Sequence, residues 1–425
     1  MNFSRFTLKA LTLAVACSSL AVEAASYGIY DPRGLAMGGT GVASSSWHQA
    51  QYYNSALLAL HDENEDDSRD GRFIIPNVVV QFDDVVEDIV DAASDDLDQR
   101  LSASINDFNT DPNQATAGNV AGDARELQGL LDNLANENVN SEAFVGFSVS
   151  EPSLLEGGAF YFGVRMLALG DSTITDEDQI LLDRYIGALE VIAAGGDVSS
   201  IPADLVDANG NLIDPTTQFN SSADLGGVAI SEWAVAAAKQ FDFFGQSLAV
   251  GITPKIMRVD VIRETTDFAS TEIDFANSQR TYVNLNVDMG VALEMFDHYR
   301  IGFAVKDLVP EEFETANGLM LQLKPRPRFG AAYVNEWVTF GVDVDVMENE
   351  PIAGEATTQD VSAGLEVSPF KAFDFRLGYI QDLTGMKEDT FAGGIAYQVK
   401  SLAFELSYSR GALSTGAAFQ FGVAF

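Results

Sequence analysis

The chain ends on Thr415-Gly-Ala-Ala-Phe-Gln-Phe-Gly-Val-Ala-Phe425, and the alternation in that stretch decides how the rest is read. Extended as a strand, it puts Phe419, Phe421, Val423 and Phe425 on one face and Ala418, Gln420, Gly422 and Ala424 on the other. One face is bulky and apolar; the other is small and mildly polar. The last strand of a water-soluble sheet usually fades into polar residues, because a fraying end gains little by showing aromatics to water. An ending on Phe favours a strand with oil on one side.

Such an ending resembles the closing strand of bacterial outer-membrane β-barrels, and the resemblance implies that Phe425 is read by the machinery that assembles them. Alternation and turn signals place thirteen more strands upstream: Phe73 to Phe82, Ala143 to Ser150, Ala159 to Leu169, Gly226 to Phe241, Gln246 to Arg263, Gln279 to Phe296, Tyr299 to Asp307, Gly318 to Tyr333, Trp337 to Val346, Gln359 to Val367, Ala372 to Gln381, Thr390 to Val399 and Leu402 to Arg410. The links after even-numbered strands are short, as in Asp297-His298 and Lys400-Ser401, whereas those after strands 1 and 3, residues 83–142 and 170–227, are very long. A barrel with both ends on one side of a membrane requires this parity, and a soluble sandwich has no reason to obey it. The expected fold is therefore all-β: a transmembrane fourteen-stranded antiparallel barrel over residues 73–425.

Composition agrees. Of the 425 residues 47% are hydrophobic, yet past the start no uncharged run reaches the roughly 18–20 residues of a membrane helix. A formal charge of -39 argues against nucleic acid as a partner, since phosphate repulsion would dominate. Arg5 and Lys9, the apolar run from Ala10 to Ala21 and the small-x-small pattern Val22-Glu23-Ala24 read as a signal peptide cut after Ala24. A lipoprotein cut before Cys17 is the alternative there. Cys17 is the sole cysteine, so with residues 1–24 removed no disulfide, thiolate metal site or Cys nucleophile is available.

Residues 25–72 form the next unit. Its centre is Arg33-Gly-Leu-Ala-Met-Gly-Gly-Thr-Gly-Val-Ala43, followed by Gln51-Tyr-Tyr-Asn-Ser-Ala-Leu-Leu58. The glycine spacing matches no phosphate-binding fingerprint. The two segments resemble the N-terminal plug of FadL-type hydrophobic-compound transporters, and more closely the barrel proteins called conjugal transfer protein TraF. Ser55 stands where the FadL-type pattern usually has Pro. The resemblance implies a plug folded into the lumen from the periplasmic side, with Gly38, Gly39, Gly41, Tyr52, Tyr53 and Asn54 as its key residues, and an outer-membrane location. The acidic run His61 to Asp67 lacks the EF-hand pattern and reads as a solvated linker.

In the long loops, Val85 to Ile105, Asp123 to Leu134 and Asp176 to Ala193 carry apolar residues at three- and four-residue spacing, predicting acidic amphipathic helices over the extracellular mouth. These are solvated surface, a lid, or a cation-bridged contact with lipopolysaccharide. Alternation turns Asp343, Asp345, Asp374 and Arg376 into the lumen. It also gives Lys324, Arg326 and Arg328 a shared face, with Pro325 and Pro327 opposite marking a break in strand pairing. With Arg165 and Arg376, these three are the candidate lumenal ligand residues, holding the carboxylate of an amphiphile or else neutralising lumenal acids and pinning the plug. His48, His61 and His298 lie apart from any workable Ser or Asp, so no catalytic residue, metal site or cofactor is expected. The expectation is a non-enzymatic barrel that binds or passes a hydrophobic or amphipathic small molecule. Its rival is a structural or surface-interaction barrel associated with conjugative transfer. Expected partners are outer-membrane lipid, lipopolysaccharide, the barrel assembly machinery and a hydrophobic small molecule.

Overall fold

The computed structural model describes residues 27–60, 71–84, 97–135, 139–151, 156–267, 278–316, 318, 320–349, 357–370 and 372–425. The expected signal peptide, its cleavage site and the acidic run His61 to Asp67 lie outside these residues. Among them, fourteen strands close into one antiparallel barrel and two more form a separate hairpin. In chain order the strands are β1 (Arg72–Asp83), β2 (Val139–Glu151), β3 (Glu156–Thr173), β4 (Ser222–Phe243), β5 (Gln246–Asp267), β6 (Gln279–Met295), β7 (Tyr299–Lys306), the hairpin β8 (Glu311–Glu314) and β9 (Met320–Leu323), β10 (Arg326–Val334), β11 (Val338–Asp345), β12 (Asp360–Phe370), β13 (Phe373–Asp382), β14 (Thr390–Val399), β15 (Leu402–Arg410) and β16 (Ser414–Ala424). The terminal stretch is the closing strand, paired with β1 from Arg72↔Ala424 to Asp83↔Ser414.

One expected strand divides. Gly318 to Tyr333 becomes β9 and β10, with Lys324-Pro325 between them, because Pro325 has no N–H to give a ladder. Pro327 stays within β10, opposite Val305. The wall is also uneven. β4 and β5 are 22 residues long and β6 is 17, whereas β7 and β11 have 8 and β10 has 9. The hairpin, in the link between β7 and β10, packs on the inward side of β3, β4 and β5.

The outer face carries large apolar side chains, among them Val283, Leu285 and Leu377, that are 65–72% exposed. Such a surface is stable only against hydrocarbon. At the short-turn end it finishes in aromatics, Phe244, Phe296, Trp337, Phe370 and Phe425, as at a membrane interface.

The inner face is layered. Nearest the short turns it is built of Gly and Ala, and register aligns glycines across the ladders: Gly251↔Gly290, Gly302↔Gly330, Gly341↔Gly364 and Gly364↔Gly378. This girdle lets the wall touch the plug almost backbone to backbone. A Cβ at Gly251 would lie 2.3 Å from Ala56 N, and one at Gly378 2.1 Å from Gly38 N. A charged layer follows, and above it an apolar one.

Beyond the opposite rim lie α3 (Leu97–Thr110), α4 (Gln114–Leu134) and α5 (Asp176–Ala193), numbered after the plug helices α1 (Pro32–Ala36) and α2 (Ala50–Tyr53). α5 has the expected bounds; α4 begins nine residues before the expected Asp123, because Asn113 supplies a capping box there. Of the expected first helix, residues 85–96 lie outside the described ones. The three helices share a core that includes Leu101, Val120, Leu131, Leu182, Tyr185 and Leu189.

Candidate functional site

The plug is held by short polar contacts. Asp31 caps α1, its carboxylate accepting from Gly34 N at 2.9 Å, and the chain then turns through left-handed Gly38 (φ +66) and Gly39 (φ +78). A Cβ at Gly38 would come within 2.7 Å of the Tyr379 backbone, so both the dihedral and the approach require glycine. Gly41 N and Val42 N donate to Asp343 of β11 at 2.8 and 2.9 Å. Asn54 donates to Val42 O at 2.8 Å and Val291 O at 3.1 Å, and accepts from Ala56 N at 3.1 Å. The Tyr53 hydroxyl accepts from Tyr30 N at 3.2 Å, and Tyr52 stacks on Tyr30 at 5.8 Å between ring centres. Arg33 grips Glu366 of β12 through two bonds of 2.9 and 3.0 Å.

Over the plug lies the charged layer. Lys255 of β5 is fully buried, with Glu232 and Asp288 at 2.9 Å and Asp307 at 2.6 Å. Lys306 donates to Tyr52 O at 2.8 Å and stands 4.3 Å from the Tyr30 ring centre, which ties layer to plug.

The five lumenal residues expected from sequence are spread around the wall. Arg326 pairs with Asp307, and Arg328 pairs with Asp345 at 2.5 Å and donates to Gly39 O at 3.2 Å. Arg376 bridges Glu366 and Glu405, each at 2.5 Å, beneath the plug helix. Arg165 pairs with Glu142 at 2.5 Å. Lys324 is half-buried in the link between hairpin and β10, off the strand that carries Arg326 and Arg328. The shared face expected for all three thus ends at Arg326, because the strand itself begins there.

Sequence reading missed Lys255 and Lys306, although both are in phase with the inward positions of their strands; the signal was the phase, without the height. It also missed the apolar layer. Leu167, Val228, Ile230, Met257, Val259 and Val261 all face inward from β3, β4 and β5, and are covered by Phe313, Leu321 and Leu323 of the hairpin.

A family model described as "F plasmid transfer operon, TraF, protein" matches residues 51–345. Among solved structures, the "TodX deltaS2S3 mutant monoaromatic hydrocarbon channel" is 11% identical with a TM-score of 0.52, over 93% of this chain and 99% of that one. The corresponding deltaS2 mutant is 10% identical with a TM-score of 0.50, over 93% and 97%. The Pseudomonas putida toluene transporter TodX is 11% identical with a TM-score of 0.47, over 96% and 98%. At these identities the likeness is one of fold. No curated protein matches the sequence.

Proposed function

The chain belongs to the family of the F plasmid transfer operon TraF protein, and on that premise we propose that it is an outer-membrane barrel that binds and passes a hydrophobic or amphipathic small molecule. The observation that carries this reading is the apolar inward patch on β3, β4 and β5. Barrel interiors are ordinarily polar, and apolar side chains turned away from lipid serve an apolar occupant. The fold shared with monoaromatic hydrocarbon channels supports the same reading. The short turns and the plug then face the periplasm, and the three-helix cap faces outward. No covalent step is involved; the plug shifts, breaking contacts such as Lys306 to Tyr52 and Asp343 to Gly41 that are polar and short. In this reading a ligand's polar end would meet Arg326 or Arg328 only by competing with Asp307 and Asp345, while Arg165 and Arg376, paired with Glu142 and with Glu366 and Glu405, hold the wall and plug, and Lys324 lies in the link before β10.

The test is probe binding and uptake by the purified full chain in proteoliposomes. Saturable uptake of an alkane-like or fatty-acid probe is expected; none, with binding also absent, refutes the reading. Neutralising Lys324, Arg326 and Arg328 together lowers affinity for the anionic probe alone if these groups meet its head.

One observation favours the rival reading: the cap has a core of its own and so is more than loop. If the protein acts as a surface contact in conjugative transfer, removing the whole cap abolishes that role and leaves uptake in place.

A further inference from the structure

We propose that the apolar wall of β3, β4 and β5 is a binding site for an uncharged apolar molecule, and that the β8–β9 hairpin is a resident stopper that must leave for the site to fill. The proposal rests on the transport reading above and names its site and ligand class. The wall residues are direct neighbours across the ladders: Leu167↔Val228, Val228↔Val261 and Ile230↔Val259. They form one continuous surface.

The hairpin covers that surface with three side chains, Phe313, Leu321 and Leu323, each at most 5% exposed, while Glu312, Glu314 and Met320 point away into solvent. It forms no ladder with the barrel. Two strands of four residues are too few to be stable alone. Among the described residues, the apolar contact and bonds to β6 hold the hairpin and its flank. The Tyr282 hydroxyl donates to Glu314 O at 2.7 Å and accepts from Glu314 N at 3.1 Å, and Asn286 exchanges two bonds with Val309. The barrel strands on either side of it in the chain, β7 and β10, have 8 and 9 residues against 22 in β4 and β5, so the hairpin is joined to a lower wall than the one it covers.

The floor sets the ligand's charge. Lys255, Lys306 and Arg326 bring three positive charges; Glu232, Asp288 and Asp307 bring three negative ones, within an interlocking set of ion pairs. An anionic head would have to displace one of these carboxylates, whereas an uncharged molecule leaves the layer intact.

The experiment uses the full chain in nanodiscs with two fluorescent probes, uncharged N-phenylnaphthylamine and anionic cis-parinaric acid. Combining Phe313→Ala, Leu321→Ala and Leu323→Ala removes the competitor and is expected to tighten the uncharged probe by about tenfold. Val259→Asn should weaken it. In a Leu321→Cys chain, with native Cys17 replaced by Ser, thiol labelling should speed up when the probe is added. If the wild type binds the probe but the hairpin variant binds it no better, and labelling is insensitive to it, the stopper fails while the transport reading stands. A larger gain for the anionic probe overturns the ligand class. No binding by either chain overturns both readings. Should the triple variant fail to fold, the labelling rate decides alone.

Discussion

Lys255 governs the charge balance of the lumen, since three carboxylates within 2.9 Å converge on one ammonium that water does not reach. Replacing it by Met leaves buried like charges facing one another, and should cost about 3–5 kcal/mol. Adding Asp288→Asn should return part of that loss; urea unfolding of the two variants, followed by Trp fluorescence, checks both. Glycine at 290 is fixed by a different force. A Cβ there would stand 2.0 Å from Asn54 Oδ1, and Asn54 cannot retreat without breaking three hydrogen bonds. Gly290→Ala is expected to cost about 1–3 kcal/mol and to make the plug more sensitive to protease. The plug also holds two buried titrating groups of opposite sign. Burial first, and the Arg72 guanidinium second, push His48 down from 6.5 to about 4. Between those values the unfolded chain holds the extra proton, so acid weakens folding through His48. Burial pushes Asp31 up from 3.8 to about 6, so in that window the folded chain holds the proton and acid strengthens folding. His48→Gln should therefore help more near about pH 5 than near about pH 7, and Asp31→Asn more near about pH 7, as urea midpoints would show.

Among the elements, the cap helices behave as a unit built from two loops. α3 and α4 come from the first and α5 from the second, and their apolar faces cover one another. Deleting the first loop alone would leave Leu182, Tyr185, Ile186 and Leu189 of α5 without cover, and such a chain is expected to aggregate. Deleting 85–136 and 176–219 together, each bridged by a short Gly/Ser turn, should leave a barrel that still shifts its gel mobility on heating. The helices were legible because a 3.6-residue period needs no partner to be seen, as the agreement at Asp176–Ala193 shows. Strand ends were less so. β3 and β4 run on to Thr173 and back to Ser222, beyond the expected Leu169 and Gly226, because past the hydrocarbon both faces are polar and the contrast that marks a strand disappears. The hairpin was hidden for another reason: Met320 to Leu323 alternates well enough to pass for the start of β10, and Pro325 alone marks the break.

At the scale of the whole molecule, alternation fixes which way each side chain points, and only the pairing register fixes how high it stands. That is why the fourteen strands and the inward Asp343, Asp345 and Arg376 could be read directly, while the glycine girdle, the Lys255 cluster and the apolar layer could not. Each of those brings residues of different strands to one height along the barrel. Closure is nearer to legible, since the alternation of Thr415 to Phe425 marks the strand that pairs with β1. Phe425 N donates to Gly71 O at 2.9 Å, Gly71 N to Phe425 O at 3.3 Å, and the ring fills the space over Gly71. The side chain is 57% exposed at the short-turn rim, so it adds little to the stability of a finished barrel. Phe425→Ala should accordingly change the unfolding free energy in detergent by less than about 1 kcal/mol. If the terminal aromatic is the feature by which assembly begins, the same substitution should lower the amount recovered from the outer membrane severalfold, with unassembled chain degraded in the periplasm. Quantitative blots of fractionated cells separate the two effects: equal recovery of both chains would assign Phe425 to the rim alone, and a loss of stability in detergent would make it part of the wall.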